Sequence, residues 1–170
     1  RNALHKACAK GYIDIVKLLL TVDNLDVNVK DNFNHNAFYS ACIGGHTEIA
    51  NLLISREDLN IDINIKDKAC KTALHWACAR TYVEIAHLLA SKANFDINAK
   101  DHADKTALHY AVCENNTEIV EILLARDDLE INAKAKECTA FQFAVEMSRT
   151  DIIIQLISRP DFDIEANLKW

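Results

Sequence analysis

Three cysteines recur along the chain and carry the side chains with the most reactive chemistry. Cys8, Cys42 and Cys78 could form disulfides or ligate a metal if they met in space. Stacked helices would hold them about 8–10 Å apart, whereas a disulfide needs Cα atoms within about 7 Å. Val112 and Val145 take the next two equivalent positions. The pattern therefore favours a small apolar packing residue over a metal or disulfide site.

Histidine recurs in the same way, at His5, His75 and His109, which invites an acid–base or metal-ligand interpretation. Tyr39 and Gln142 occupy the equivalent positions elsewhere. A catalytic base would not be copied three times and replaced twice, whereas all three residue types can form hydrogen bonds. The pattern therefore indicates a structural hydrogen-bonding position.

Motifs typical of enzymes are absent from the sequence. It has no phosphate-binding, nucleophile-elbow, zinc-protease or dinucleotide motif, and it contains only three glycines. Its acidic pairs lack the spacing of a calcium-binding loop. We therefore expect no enzyme active site, cofactor site or metal site. A reactive thiol at Cys70, Cys113 or Cys138 is the alternative, and it would require a lowered pKa.

The recurring residues belong to a repeat of 33 to 36 residues. Each copy begins with Asn or Thr, followed by Ala and then a large apolar residue. A fixed period in this range is typical of solenoids, in which each unit buries its apolar face only against its neighbours. The copies are Asn2–Ala7, Asn36–Ala41, Thr72–Ala77, Thr106–Ala111 and Thr139–Ala144.

Each unit predicts two helices followed by an extended finger. Asn and Thr can cap a helix N-terminus, and Leu74, Ala77 and Cys78 then form an apolar stripe at helical spacing. After a second stripe, apolar and polar residues alternate, as in 95–98, which predicts extended backbone. The second stripe comprises Ile15, Leu18, Leu19, Ile49, Leu52, Leu53, Ile85, Leu88, Leu89, Ile119, Ile122 and Leu123.

This pattern resembles the ankyrin repeat over the whole chain. Units three and four read T-A-L-H-x-A where the family has T-P-L-H-x-A, residues 45–54 read GHTEIANLLI, and residues 96–101 read DINAKD. The resemblance implies an all-α solenoid of stacked helix-turn-helix units with short extended or β-hairpin fingers. It implies one array over residues 1–170, with units starting near 2, 36, 72, 106 and 139. It also implies that the recurring histidine ties neighbouring units together through backbone hydrogen bonds.

Two departures from the family pattern carry structural expectations. Ala replaces the family's Pro in the first helical turn, which loses some preorganisation of the backbone. Thr81, Asn115 and Ser148 stand where the family has Gly between the two helices. We expect these turns to be more strained, because only Gly adopts a left-handed conformation without steric cost.

The overall charge bears on the class of partner. The net charge of -6 disfavours general binding to nucleic acid, and no apolar run is long enough to span a bilayer. Six cysteines without a Cys-x-x-Cys pair indicate reduced thiols. We therefore expect a cytoplasmic protein, with the nucleus as an alternative.

Lysines nevertheless concentrate in the fingers. Those in the family's N-A-K-D stretch are expected from the resemblance, but Lys68, Lys71, Lys105 and Lys136 are additional. Acidic residues such as Asp128 lie at the opposite end of the units. These lysines predict a basic ridge along the finger tips, and the alternative is that they form only a solvated face.

An aromatic row accompanies the lysines. Trp76, Tyr110 and Phe143 share one position on successive first helices, with Arg80 and Glu114 one helical turn further on. We expect the rings to point toward the side that partners contact in ankyrin proteins, because Trp, Tyr and Arg are enriched at binding hot spots. The alternative is that the rings only pack against the adjacent unit. The predicted partner-binding residues are Lys68, Lys71, Trp76, Arg80, Lys105, Tyr110, Glu114, Lys136 and Phe143.

The predicted function is a non-catalytic protein–protein interaction module, a scaffold or adaptor. It would bind a partner protein with an acidic surface across the finger tips and the exposed side of the first helices. We expect no small-molecule substrate and no cofactor. One alternative is a substrate-targeting segment of a larger enzyme, such as a kinase or ubiquitin ligase. Another is a binder of anionic lipid or nucleic acid through the lysines.

The last unit differs from the others in its outer face. Terminal solenoid units normally present polar residues to water, but Ile154 stands where earlier units have polar residues. We expect the chain to be part of a longer array, with Ile164–Asn167 beginning another finger before the sequence stops at Trp170. The alternative is that Ile154 and Gln155 exchange roles through a local rotation of the helix.

Overall fold

A computed structural model describes residues 1–168, and Lys169 and Trp170 lie outside the described residues. Five helix pairs follow one another along this part of the chain. The first helices are α1 (Ala3–Lys10), α3 (Ala37–Gly44), α5 (Ala73–Ala79), α7 (Ala107–Cys113) and α9 (Ala140–Glu146). The second helices are α2 (Ile13–Leu19), α4 (Thr47–Ser55), α6 (Val83–Ala90), α8 (Thr117–Leu124) and α10 (Thr150–Ile157). The other elements are a 3-10 turn (Glu57–Leu59), strands β1 (Lys134–Ala135) and β2 (Cys138–Thr139), and helix α11 (Ile164–Leu168).

The helix pairs stack one on the next. First helices contact the first helices of neighbouring units, from α1 to α9, and second helices contact second helices, from α2 to α10. The buried apolar residues form one cluster that runs along the stack. The predicted all-α solenoid of helix-turn-helix units is therefore confirmed.

The first helices begin directly after the predicted cap residues. The side chain of Asn36 accepts a hydrogen bond from the backbone N–H of Tyr39 (2.8 Å). The backbone N–H of Thr72 donates to Nδ1 of His75 (3.0 Å), which completes a capping box. These bonds satisfy N–H groups that the helix leaves unpaired. The same position is taken by Asn2, Thr106 and Thr139.

The recurring histidine connects neighbouring units, as the resemblance implies. Nε2 of His5 lies 2.8 Å from the carbonyl oxygen of His35, and Nε2 of His75 lies 3.0 Å from that of Lys105. Tyr39, at the equivalent position, donates its hydroxyl to a carbonyl of the next finger (2.8 Å). Because His5, Tyr39 and His75 are buried, each bond fixes one unit against the next.

A second set of connections lies where each second helix leads into its finger. Nδ2 of Asn98 donates to the carbonyl of Asp128 (2.6 Å), and its Oδ1 accepts from the backbone N–H of Glu130 (2.8 Å). One amide side chain therefore pairs a donor and an acceptor of the next unit. The same paired bonds are made by Asn28, Asn64 and Asn132.

The second helices of the inner units bury the apolar stripe as predicted. In the first unit the predicted burial is wrong. Ile85, for example, is buried, but Ile15 is 48% exposed and Leu18 is 69% exposed. In the later units, residues at these positions face the second helix of the preceding unit. Gln155, for example, stands at the position of Leu18 and donates a hydrogen bond to the carbonyl of Thr117 in α8 (3.2 Å). No helix of the described chain precedes α1, so these two side chains meet solvent.

The fingers are tighter than the predicted extended segments. Within the described residues a β-ladder forms only between β1 and β2. In the earlier fingers a carboxylate takes its place: Oδ1 of Asp101 accepts from the backbone N–H groups of Ala103 (2.8 Å) and Lys105 (3.0 Å). Ala135 stands at the equivalent position in the last finger and has no such group. There the backbone pairs with itself instead.

The segment Ile164–Asn167 does not begin another finger, contrary to the prediction. It forms α11, because the carboxylate of Asp163 accepts from the backbone N–H groups of Glu165 (2.9 Å) and Ala166 (3.1 Å). Asn167 is buried and accepts the hydroxyl of Thr139 (2.5 Å). The short helix is therefore held against the start of α9.

Helix α10 keeps the register of the other second helices. Ile152 and Leu156 are buried, whereas Ile154 is 54% exposed. The alternative in which Ile154 and Gln155 exchange roles is therefore wrong. Apolar side chains are exposed at this end of the described array, and the expectation of a longer array stays a prediction.

The turns between paired helices are left-handed, as the family pattern suggests. Gly11 and Gly45 have φ of 77°, and the replacements Thr81, Asn115 and Ser148 have φ between 55° and 57°. Thr81 is the least suited of these, because its Cβ carries two heavy atoms. The conformation costs an L-residue about 1–2 kcal/mol.

We expect Thr81→Gly to raise the free energy of unfolding by about 0.5–1 kcal/mol. Relief of the steric cost exceeds the extra backbone entropy that glycine loses on folding. Urea unfolding followed by circular dichroism measures the change. Ala79→Gly, at the last residue of α5, is the matched control and should lose stability, by up to about 1 kcal/mol. A loss of stability in Thr81→Gly would show that the turn is not strained.

Candidate functional site

Three aromatic side chains form a row on one side of the stack. Trp76 on α5, Tyr110 on α7 and Phe143 on α9 occupy equivalent positions, and each is half-buried. Their rings also contact the preceding unit, as Tyr110 does edge-on with His75 at a centroid distance of 5.7 Å. The rings therefore pack against a neighbour and still present a surface to solvent.

An aspartate in each preceding finger orients the polar rings. Oδ2 of Asp67 accepts from the indole N–H of Trp76 (3.0 Å), and Oδ2 of Asp101 accepts from the hydroxyl of Tyr110 (2.7 Å). The other oxygen of each carboxylate holds the finger turn. One side chain thus fixes both the finger and the ring, so the two surfaces are positioned together.

The electrostatics of these pairs keep the carboxylates charged. Burial alone would raise the pKa of Asp67, but the backbone N–H of Lys71 and the indole N–H of Trp76 lower it below its usual value. Burial and the bond to Asp101 raise the pKa of Tyr110. At neutral pH the phenol therefore remains the donor and the carboxylate remains the acceptor.

Finger lysines lie between the rings. Nζ of Lys71 is 4.6 Å from the ring centroid of Trp76 and 4.8 Å from that of Tyr110. Nζ of Lys105 is 5.7 Å from Tyr110 and 5.2 Å from Phe143. These distances are those of cation–π contacts. We call Trp76, Lys71, Tyr110, Lys105 and Phe143 the lysine–aromatic ladder.

The remaining predicted site residues surround this ladder. The guanidinium of Arg80 lies 5.2 Å from the ring of Trp76 and donates to the carbonyl of Ile43 (2.6 Å). Lys68 and Lys136 are exposed in their fingers, and Glu114 is exposed at the end of α7. Arg80 therefore extends the ladder at one end, whereas no ladder contact joins these last three among the described residues.

Sequence analysis missed the aspartates that build the site. Asp67 and Asp101 each precede their ring by nine residues, and this fixed spacing is the signal that could have identified them. It also missed that the lysine ridge and the aromatic row are one surface. Lys71 reaches a ring of the next unit, and spacing within one unit does not reveal that contact.

The cysteines do not offer a reactive thiol within the ladder. Cys8, Cys42 and Cys78 are fully buried in the core, and burial raises the pKa of Cys8 to about 12 and also raises those of the other two. Burial likewise raises the pKa of Cys113, which contradicts a nucleophilic role there. Within residues 1–168, no three metal-ligating side chains cluster closely enough to hold an ion.

A family model described as ankyrin repeats in three copies matches residues 4–101 and again residues 94–168. The chain belongs to the ankyrin-repeat family. No curated protein sequence matches it. Ankyrin repeats are generally protein–protein interaction modules and are typically not catalytic.

The ladder lies on the part of this ankyrin array that the resemblance assigns to partners. Its lysines belong to the fingers and its rings to the first helices. The acidic residues at the other end of the units, such as Asp58 and Asp128, are exposed. No helix in the described part of the chain is long and apolar enough to cross a membrane.

Proposed function

We propose that this ankyrin array binds an acidic surface of a partner protein across the lysine–aromatic ladder. The observation that carries the proposal is the alternation of finger lysines with half-buried rings over three successive units. A surface that combines cations with rigid aromatic area suits a protein interface better than scattered charges do.

The preorganisation of the ladder supports this proposal. Trp76 and Tyr110 are held by aspartates, and Lys71 and Lys105 rest on the rings. These side chains of the array therefore lose little conformational entropy when a partner binds, and such loss is a main cost of association. The same rings supply the apolar area on which interface hot spots depend.

The charge distribution supports an acidic partner. Lys68, Lys71, Arg80, Lys105 and Lys136 lie on or beside the ladder, while the chain as a whole is negative. An acidic protein surface is therefore attracted to this side and repelled from the rest. Such asymmetry orients the encounter of two proteins.

We expect the replacement of Lys68, Lys71, Lys105 and Lys136 by Glu to slow association with the partner by roughly tenfold to a hundredfold at low salt. The melting temperature should fall only modestly. Lys68 and Lys136 are exposed charges that contribute little to stability, and Lys71 and Lys105 each lose cation–π contacts of about 0.5–1 kcal/mol. The partner is the protein retained by the immobilised wild-type array, and surface plasmon resonance gives the association rate.

The matched control replaces Lys10, Lys17, Arg56 and Lys92 by Glu, which changes the net charge equally outside the ladder. An equal slowing in both variants would mean that only net charge matters. Anionic vesicles and duplex DNA are tested in the same assay at increasing salt. Tight binding to either of them, with no protein retained, would contradict the proposal and favour a lipid or nucleic-acid binder.

A further inference from the structure

The aromatic row is interrupted in the second unit. Ser40 on α3 stands where α5, α7 and α9 carry Trp76, Tyr110 and Phe143. Its hydroxyl donates to the carbonyl of Asn36 one turn back (3.0 Å), so the side chain stays on the helix surface. Ser40 is fully buried, so the exposed aromatic row ends at Trp76.

The aspartate that would orient such a ring is nevertheless present. Asp31 precedes Ser40 by nine residues, as Asp67 precedes Trp76, and Oδ1 of Asp31 holds its finger turn in the same way. Its Oδ2 binds Nε of Arg1 instead of a ring (2.9 Å). Arg1 thus takes the place on Asp31 that a ring takes in the later units, and His35 stands where those units have Lys71 and Lys105.

A pocket of about 370 Å³ opens where the row ends, between Trp76 and the preceding finger. Arg1 and Phe33 line one side, Trp76 and Arg80 line the other, and Ile43 lies one helical turn beyond Ser40. His35, Asp67, Lys68 and Ala69 complete the lining. We call this cavity the gap pocket. Its volume is at the lower end of the range for ligand sites, about 300–1,000 Å³, and suits one large side chain.

The lining of the gap pocket specifies the chemistry of its occupant. Phe33 is 56% exposed without an apolar cover, and the ring of Trp76 forms the facing wall. Arg1, Lys68 and Arg80 place three cations around the opening. The carboxylate of Asp67 is already engaged by Trp76 and by its own turn. An apolar group with carboxylates beside it therefore fits.

We propose that the gap pocket receives one large apolar side chain, aromatic or leucine-sized, from an acidic segment of the partner protein. This inference rests on the proposed function, because the pocket continues the lysine–aromatic ladder at Trp76. The flanking carboxylates of the segment contact Arg80 and Lys68, and the inserted side chain packs between Phe33 and Trp76.

The test uses three fluorescein-labelled peptides with Asp and Glu on both sides of one central residue, which is Trp, Leu or Ala. Anisotropy should show that the Trp and Leu peptides bind the wild-type array at least roughly tenfold more tightly than the Ala peptide. Ala69→Phe adds a large side chain to the lining of the pocket and fills it. In that variant all three peptides should bind as weakly as the Ala peptide does.

Two further variants separate an effect of the pocket from an effect of charge. Phe33→Ala removes an exposed wall without touching the core and should also reduce the preference for Trp and Leu. Lys105→Glu lies outside the gap pocket and should weaken all three peptides by the same factor. Circular dichroism checks that Ala69→Phe is folded.

Equal affinities of the three peptides for the wild-type array would overturn the inference, and so would a preference that survives in Ala69→Phe. If the isolated partner protein binds through the ladder while no peptide binds at all, the gap pocket is rejected and the proposed function stands. If the peptides discriminate as expected but the ladder lysines do not affect the partner, the proposed function is rejected.

Discussion

Replacing Leu108 by Ala is expected to lower the free energy of unfolding by about 2–5 kcal/mol, the usual range for a buried leucine. Leu108 is 2% exposed and lies in the middle of the stack, on α7 between α5 and α9. Leu74→Ala should behave alike, since Leu74 is 1% exposed in the preceding unit. Because each unit is stabilised by its neighbours, amide exchange in α5 and α9 should also accelerate in Leu108→Ala.

Leu18→Ala is the matched control for this loss. Leu18 belongs to the same kind of apolar stripe but is 69% exposed, so its replacement should change stability by no more than about 0.5 kcal/mol. Urea unfolding followed by circular dichroism measures all three variants. A loss below about 1 kcal/mol in Leu108→Ala, or one equal to that of Leu18→Ala, would show that the buried face is misplaced.

A second large effect is expected from acid. Burial lowers the pKa of His109 from 6.5 to about 4, and burial also lowers the pKa values of His75 and His35. At His75, Nδ1 also accepts the backbone N–H of Thr72 (3.0 Å). A proton on that nitrogen would remove the acceptor of the helix cap.

The direction of the pH dependence follows from these shifts. An unfolded histidine titrates near 6.5, so between pH 6.5 and about 4 the unfolded chain binds more protons than the folded one. Stability is therefore complete above pH 6.5 and falls as the pH decreases toward 4. The shift of His109 corresponds to about 3 kcal/mol. Asp31 contributes at lower pH, because its pKa of about 2 is depressed from 3.8.

His109→Gln should remove most of the loss of stability that protonation of His109 causes. Glutamine suits the position, because Gln142 occupies it in the fifth unit and forms a capping box with Thr139. Denaturant unfolding at pH 7.0 and at pH 4.5 measures the difference for wild type and variant. An unchanged pH dependence in His109→Gln would mean that the buried imidazole is not the group that titrates.

The repeat itself was readable because each unit restates the same pattern of caps and apolar stripes. The pattern does not reveal which helices surround each copy. Ile15 and Leu18 match the core stripe, yet they are exposed because no second helix of the described chain lies before them. The segment 95–98 was predicted as extended because alternation favours strands, but the carboxylate of Asp96 accepts the backbone N–H of Asn98 (3.2 Å) and forms a turn there.

The candidate site was predicted in its components rather than in its geometry. The residue types of the aromatic row and of the lysines were identified, because both recur once per unit. The lysines and the rings form one surface because Lys71 lies between rings of two different units. The gap pocket lies between the finger that carries Phe33 and the ring of Trp76, and residues of three units line it. Such contacts between units are determined by stacking, which no single repeat encodes.

Hydroxyl-radical footprinting of the array, alone and with the isolated partner, tests the central claim most directly. The account predicts that the partner protects Trp76, Tyr110 and Phe143 from oxidation. Tyr12 and Ile154, which are exposed at the two ends of the described array, should be oxidised equally in both samples. Protection of those end residues with no change at the three rings would contradict the claim that partners bind across the lysine–aromatic ladder.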